Sequence, residues 1–144
     1  MGNVAINGFG RIGRSILRII VENNSDINVV AINDLGNYEN LAYLLKHDSV
    51  MGILDSDVHV DGDNLIVGDR VIKLTSIKDP AELPWNELDV DVVIESTGIF
   101  RDNESLNKHL DAGAKKVLLT VPPKIDATIV LGVNDDDLKP DDKI

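Results

Sequence analysis

The chain has 144 residues, no cysteine and a formal net charge of −11, which suits one domain with a sizeable core and leaves no disulfide, thiolate metal site or cysteine nucleophile among these residues. The negative charge argues against a basic face for nucleic-acid phosphates. No apolar run approaches the roughly twenty residues that cross a bilayer, and no signal peptide is visible, so we expect a cytoplasmic protein without membrane or nucleic-acid partners.

A glycine pattern near the N-terminus is the first feature that points to a ligand. Val4–Ile6 is an uncharged apolar run that suits a strand buried on both faces, and G-x-G-x-x-G follows at Gly8, Gly10 and Gly13. Gly8 would allow a tight turn, Gly10 would let the backbone approach a pyrophosphate, and Gly13 would let the next helix lie close to the strand. Free N–H groups at the helix start would face the phosphates.

The residues after this turn predict an amphipathic helix. Arg11 is placed to flank the pyrophosphate, and we expect Arg18 to be a solvated charge. Asn23 and Asn24 are expected to end the helix, because asparagine tolerates the left-handed cap conformation. The apolar residues that recur at helical spacing and are expected to face the sheet are Ile12, Ile16, Leu17, Ile19 and Ile20.

A second buried strand is predicted over Ile27–Ile32, and Asp34 follows it roughly twenty residues after the glycine pattern. A carboxylate there can accept both hydroxyls of an adenosine ribose and would repel a 2′-phosphate, which favours NAD over NADP. The competing interpretation is a β-α-β unit whose glycines serve only packing. The ordered series of strand, glycines, helix, strand and acid favours the dinucleotide site.

The middle of the chain changes in character. Asn37 is predicted to cap a helix from Tyr38 to His47. Residues 57–74 alternate β-branched runs with Asp-Gly and Gly-Asp pairs, which predicts antiparallel strands with tight turns. The acids around these turns do not have the spacing of a calcium loop, and turn chemistry explains them better. They are Asp55, Asp57, Asp61 and Asp63.

Another buried strand is predicted within residues 85–98. Val90–Ile94 is apolar and leads into Glu95–Gly98. The preceding Trp85, the only tryptophan, is expected to pack over a sheet edge.

The remaining residues predict one helix and two strands. The helix spans Asp102–Ala112, with its first residue as the N-cap and Gly113 as the C-terminal glycine. The strands are expected over Lys116–Thr120 and Thr128–Leu131. Residues 135–142 form an acidic tail without a fold signal, which we expect to be a solvated connection.

These elements predict an α/β protein with a Rossmann-type, doubly wound and mostly parallel sheet that contains an antiparallel excursion. Ligands of such sheets lie beyond the carboxyl ends of the strands, near the switch in strand order. The predicted strand ends carry Gly8–Ile12, Asp34, Ser96–Gly98 and Thr120. Their convergence predicts one cofactor cleft.

Six stretches combine into a specific signature: Asn7–Arg14, Asn33–Asp34, Leu44–Ser49, Glu95–Gly98, Phe100 and Gly132–Asn134. Together they resemble the family of phosphorylating glyceraldehyde-3-phosphate dehydrogenases, through nearly the whole chain. The resemblance implies that residues 1–144 are the N-terminal NAD-binding domain of such an enzyme.

The resemblance implies a role for each matching position. The backbone around Arg11 and Ile12 would hold the pyrophosphate, and Asp34 would hold the adenosine ribose. Thr97 and Gly98 would line the cofactor cleft.

At the two ends of the cofactor, Phe100 would lie beside the adenine and Thr120 near the nicotinamide ribose. Lys73 and Lys78 stand where many members carry arginine near the adenine. The loop at residues 120–126 departs from the family's commoner pattern near the expected nicotinamide position. The predicted cofactor-binding residues are Gly8, Gly10, Arg11, Ile12, Gly13, Asp34, Lys78, Thr97, Gly98, Phe100 and Thr120.

The resemblance also implies chemistry that these residues do not contain. In the family a cysteine forms a thiohemiacetal with the aldehyde, hydride passes to NAD, and phosphate releases the acyl group. The matching cysteine and histidine would lie beyond Ile144, so this chain is expected to bind NAD and catalyse nothing. His47, His59 and His109 are explained by ordinary helix and strand positions, and we expect no catalytic or metal-ligating residue.

For the full enzyme, the resemblance implies a homotetramer that converts glyceraldehyde 3-phosphate, inorganic phosphate and NAD to 1,3-bisphosphoglycerate. Three alternatives remain open at this point. One is the corresponding domain of an erythrose-4-phosphate dehydrogenase, and another is a non-catalytic nucleotide-binding module. The third is an S-adenosylmethionine enzyme, against which the complete glycine pattern argues.

Overall fold

The computed structural model describes residues 2–123 and 128–144. The main helices are α1 (Arg11–Glu22), α2 (Tyr38–Lys46) and α3 (Asn103–Asp111). The strands are β1 (Asn3–Asn7), β2 (Asn28–Asn33), β3 (His47–Asp48), β4 (Gly52–Ile53), β5 (Val58–Asp61), β6 (Asn64–Val67), β7 (Arg70–Thr75), β8 (Val92–Glu95) and β9 (Lys116–Leu119). Short 3₁₀ turns occur at Pro80–Glu82 and Asp135–Asp137.

Seven strands form one sheet in the order β5-β6-β7-β2-β1-β8-β9, and β3 and β4 form a separate hairpin. The five strands from β7 to β9 pair in parallel, whereas β5, β6 and β7 pair in antiparallel fashion. The predicted α/β fold with an antiparallel excursion is therefore confirmed. Because β2 and β8 lie on opposite sides of β1, the strand order switches at β1, which is where such sheets bind ligands.

The sheet buries a core on each face, since neighbouring strand residues point to opposite sides. Ile6 and Ile32 face the core that contains Leu17 of α1 and Leu45 of α2. Ala5, Ala31 and Val93 face a second core with Trp85 and Ala114. The tryptophan is fully buried, which confirms its packing role. The predicted position over a sheet edge was wrong, because Trp85 packs with residues of the interior strands β1, β2 and β8.

The helix ends follow the predicted chemistry. Asn37 accepts a hydrogen bond from the Asn40 amide, and Asp102 accepts one from the Ser105 amide. Asn24 and Gly113 adopt φ angles of 47° and 111°, the left-handed conformation that ends a helix.

The prediction for Arg18 was wrong. Its side chain is 1% exposed, and its Nε and Nη2 groups donate hydrogen bonds to the carbonyl groups of Leu45, Lys46 and Gly52. The guanidinium thereby holds the end of α2 and the β3–β4 hairpin against α1. Because its partners belong to a distant segment, the pattern of α1 alone could not reveal them.

Two apolar residues of α1 also differ from the prediction. Ile12 and Ile19 are 47% and 52% exposed. The buried side of the helix instead contains Gly13, Leu17 and Ile20, which follow one another at i, i+4 and i+7. Ile12 and Ile19 each lie one residue, or about 100°, away from this stripe.

The prediction of a strand over Thr128–Leu131 was wrong: these residues pair with no strand in the described part of the chain, and the Val130 amide donates a hydrogen bond to the Asn134 side chain. The segment that follows is more ordered than predicted. Asp135–Asp137 form a 3₁₀ turn, and the Lys116 ammonium donates hydrogen bonds to the carbonyl groups of Pro140 and Asp142. Within the described residues, none of the helices has the length and apolar character of a membrane span.

Replacing Arg18 with methionine tests its structural role. The change keeps an apolar side chain of similar length but leaves the buried Leu45 carbonyl without its donor. We expect the free energy of unfolding to fall by about 1–3 kcal/mol, the cost of an unsatisfied buried polar group. Urea denaturation measures this change. Arg11→Met, at an exposed position of the same helix, is the control and should change it little. An equal loss in both variants would contradict the assignment.

Candidate cofactor site

A cavity of about 690 Å³ opens at the carboxyl ends of β1, β2 and β8. This is the edge where the predicted strand ends converge. Six of the predicted cofactor-binding residues line it, namely Gly8, Gly10, Asp34, Lys78, Thr97 and Phe100. The volume falls within the range of about 300–1,000 Å³ typical of ligand pockets.

The three glycines of the pattern have different surroundings. Gly8 has a φ of 90°, and a Cβ on it would lie 2.6 Å from the backbone nitrogen of Thr97. A Cβ on Gly13 would lie 2.3 Å from the Gly8 carbonyl oxygen, so this glycine permits the predicted close packing of α1 on the sheet. A Cβ on Gly10 would meet no protein atom within 4 Å. Protein packing therefore does not require a glycine at position 10, and this residue faces open space in the cavity wall.

The start of α1 carries features of an anion site. Its N-cap, Gly10, supplies no side-chain acceptor, and its first turn contains no acidic residue. The backbone N–H groups of the first turn and the positive end of the helix dipole are therefore available to a phosphate. Arg11 and Ile12 lie in this turn with exposed side chains, although neither lines the cavity.

Asp34 is held in a fixed orientation beside this turn. Its Oδ2 atom accepts a hydrogen bond from the Phe9 amide at 2.8 Å, and its Oδ1 atom accepts one from the Gly36 amide at 2.8 Å. Each carboxylate oxygen can accept a further hydrogen bond. The two oxygens are thus oriented so that they can accept hydrogen bonds from a diol. The bond to the Phe9 amide also fixes the glycine turn.

The cavity lining also contains Lys78, Asp79, Phe100 and Lys108. The Lys108 ammonium lies 3.2 Å from the Asp79 carboxylate. A hydrogen bond from the Ala81 amide, together with the Lys108 ammonium, lowers the pKa of Asp79. This part of the lining therefore combines an aromatic ring with charges of both signs.

Several predicted residues do not line the cavity. The Gly98 carbonyl accepts a hydrogen bond from Arg101, and the hydroxyl of Thr120, the residue after β9, donates one to the Glu95 carbonyl at the end of β8. Lys73 lies 3.7 Å from Asp63 and is also outside the lining. In the loop noted for its departure from the family pattern, residues 124–126 lie outside the described residues. The ligand contacts of these positions stay predictions.

Sequence reasoning missed the floor of the cavity. Asn7 and Asn33 line it, and both side chains are buried. Asn33 donates a hydrogen bond to the Asn7 side chain at 2.8 Å, and Asn7 donates one to the Glu95 carboxylate at 2.6 Å. The sequence did contain a signal for this pair, because each asparagine is a polar residue at the last position of an otherwise apolar buried strand.

Among residues 2–123 and 128–144, no group of three or more histidine or acidic side chains is arranged to hold a metal ion. What the cavity offers is a helix start without a capping side chain, an oriented carboxylate and an aromatic ring beside charged side chains. These three features match the phosphate, ribose and base of a nucleotide.

Residues 2–103 match the family model described as glyceraldehyde 3-phosphate dehydrogenase, NAD binding domain. Three similar relatives carry that enzyme's name. The protein from Thermotoga maritima is 53% identical over 100% of this chain and 44% of its own length, and that from Geobacillus stearothermophilus is 52% identical over 95% and 41%. The chloroplastic A form from Zea mays is 52% identical over 98% of this chain and 36% of its own length. The chain thus spans less than half the length of these relatives.

Replacing Asp34 with alanine tests the ribose position. We expect NAD affinity to fall by on the order of 1–3 kcal/mol, the value of a lost hydrogen bond to a charged group, and discrimination against NADP to relax. Calorimetric titration with both dinucleotides measures the two effects. Asp26→Ala, at an exposed position outside the cavity lining, is the control. Unchanged NAD affinity in the Asp34 variant would remove this residue from the site.

Proposed function

Because the chain belongs to the family of glyceraldehyde 3-phosphate dehydrogenase NAD-binding domains, whose cofactor is NAD, we propose that the cavity at the ends of β1, β2 and β8 is its NAD site. The observation that carries the proposal is the oriented carboxylate of Asp34, which lies one hydrogen bond from the glycine turn. The ribose acceptor and the phosphate-binding backbone are therefore parts of one rigid unit.

We assign the remaining contacts along the cavity. The N–H groups at the start of α1, around Arg11 and Ile12, hold the pyrophosphate, with Gly10 providing the close approach. Lys78 and Phe100 flank the adenine. Thr97 forms the wall on the β8 side with Gly98 next to it, outside the lining, and Thr120 lies toward the nicotinamide ribose. Gly8 and Gly13 act through packing, which the short distances to a built Cβ support.

For the whole protein we propose the oxidation and phosphorylation of glyceraldehyde 3-phosphate with inorganic phosphate. Bound NAD supplies a hydride acceptor, and residues 1–144 form the domain that binds and orients it. The names of the three relatives favour this activity over the erythrose 4-phosphate and non-catalytic alternatives. On this proposal, the groups that bind and attack the aldehyde are not among residues 1–144, which contain no cysteine.

We further propose a homotetrameric enzyme in the cytoplasm. Apolar side chains on α2 and around the β3–β4 hairpin support the association: Tyr43, Val50 and Ile53 are 64%, 91% and 69% exposed. Covering such side chains removes apolar surface from water, which stabilises an interface.

A titration of this chain with NAD and NADP tests the proposed site, and Gly10→Val provides its sharpest variant. Because a Cβ at residue 10 would meet no protein atom within 4 Å, we expect the variant to fold with nearly unchanged stability. The added side chain should occupy the space of the pyrophosphate and abolish NAD binding. Calorimetry measures binding, and urea denaturation measures stability.

Gly13→Val is the matched control, since its Cβ would clash with the Gly8 carbonyl and should lower stability instead. Two results would contradict the proposal. One is a folded chain that does not bind NAD, and the other is a Gly10→Val variant that binds NAD as the unaltered chain does.

A further inference from the structure

Glu95 is a buried carboxylate that the proposed NAD contacts do not use. Glu95 is the last residue of β8 and is 0% exposed. Among the described residues it forms no ion pair with a lysine or arginine, and its side chain contacts His109 instead. An ionised carboxylate without a cation is costly to bury unless hydrogen-bond donors surround it.

The donors are present on both oxygens. Oε2 accepts hydrogen bonds from the Asn7 side chain at 2.6 Å and from His109 Nε2 at 2.9 Å. Oε1 accepts hydrogen bonds from the Thr97 amide at 2.8 Å and from the Thr97 hydroxyl.

The direction of the histidine bond follows from Trp85. The indole N–H can only donate, and it lies 3.0 Å from His109 Nδ1, so this nitrogen must be an acceptor. The imidazole proton is therefore on Nε2 and points at Glu95. All four contacts of Glu95 are then donors, which is the set that an ionised carboxylate requires.

Two of these donors belong to the cavity. Thr97 lines it and lies against Gly8 at the start of the glycine turn. Asn7 also lines the cavity. Its side chain accepts a hydrogen bond from Asn33, and Asn33 in turn accepts one from the Thr75 hydroxyl at the end of β7. The other partner, His109, does not line the cavity and connects Glu95 to Trp85 of the second core.

We propose that Glu95 is a positioning residue for the NAD site: its carboxylate fixes Thr97 and Asn7 in the geometry in which they meet the cofactor. This inference rests on the proposed function for its ligand. The competing explanation is a purely structural role, in which Glu95 serves only to satisfy His109 within the core.

Two variants separate these roles. Glu95→Gln keeps the shape of the side chain but replaces one acceptor oxygen with a donor, which must face two existing donors in either orientation. His109→Phe removes the bonds to Glu95 and Trp85 and leaves those to Thr97 and Asn7. Both changes should lower stability.

Only Glu95→Gln should weaken NAD binding strongly, by about tenfold or more, the factor for one lost hydrogen bond. His109→Phe should stay within about threefold of the unaltered chain. Calorimetry is done at a temperature where all proteins are folded, with Glu87→Gln as the exposed control. Equal weakening by both buried variants would overturn the proposal.

If Glu95→Gln does not fold, Glu95→Asp, which withdraws the charge by one methylene, takes its place with the same expected outcome.

A second readout needs no cofactor. Hydrogen exchange of the Thr97 amide, measured by NMR, should accelerate in Glu95→Gln and not in His109→Phe, once each rate is compared with global stability. An unchanged Thr97 rate in Glu95→Gln would overturn the positioning role. If the unaltered chain fails to bind NAD, the proposed function fails, whereas the exchange measurement still decides whether Glu95 orders this wall of the cavity.

Discussion

The close approach between the β1–α1 turn and the end of β8 is the constraint on which the cavity depends. A Cβ on Gly8 would lie 2.6 Å from the Thr97 backbone nitrogen, so only glycine lets the turn occupy this volume. Ser96 donates a hydrogen bond to the Gly8 carbonyl, and Asp34 accepts one from the next residue, Phe9. The turn is therefore held from both neighbouring strands, and the helix start and the carboxylate keep a fixed separation.

Beneath the cavity, a row of side-chain hydrogen bonds crosses the ends of four adjacent strands. It runs from Thr75 through Asn33 and Asn7 to Glu95. Each bond adds little net stability, but an unmade bond in a buried row costs more than a made one contributes. The row therefore favours one arrangement of the strand ends over all others. Because Asn7 and Asn33 also line the cavity, the row fixes side chains of the cavity lining. The apolar cores on the two faces supply most of the stability.

Sequence reasoning succeeded where the determining chemistry is local. The caps at Asn37 and Asp102, the glycine turn and the position of Asp34 each depend on residues a few positions apart or on the order of elements. It failed where the partner is distant. Arg18 is buried because carbonyl groups of another segment accept its hydrogen bonds. Thr128–Leu131 has β-forming residues, but no strand among the described residues pairs with it. For the site, Asn7 and Asn33 acquire their role only when parallel pairing brings the strand ends together.

The acidic composition and an anionic ligand are compatible because the decisive charges act at contact distance. The net charge of −11 is screened over about 8 Å at physiological ionic strength, whereas helix N–H groups bind a phosphate directly. Along the cavity the local signs are separated: α1 presents donors without a competing acid in its first turn, and Asp34 presents acceptors. On the proposed assignment, pyrophosphate meets donors and ribose hydroxyls meet acceptors. A phosphate on the ribose would meet the acceptor end, so this separation of sign is itself the physical basis for preferring NAD to NADP.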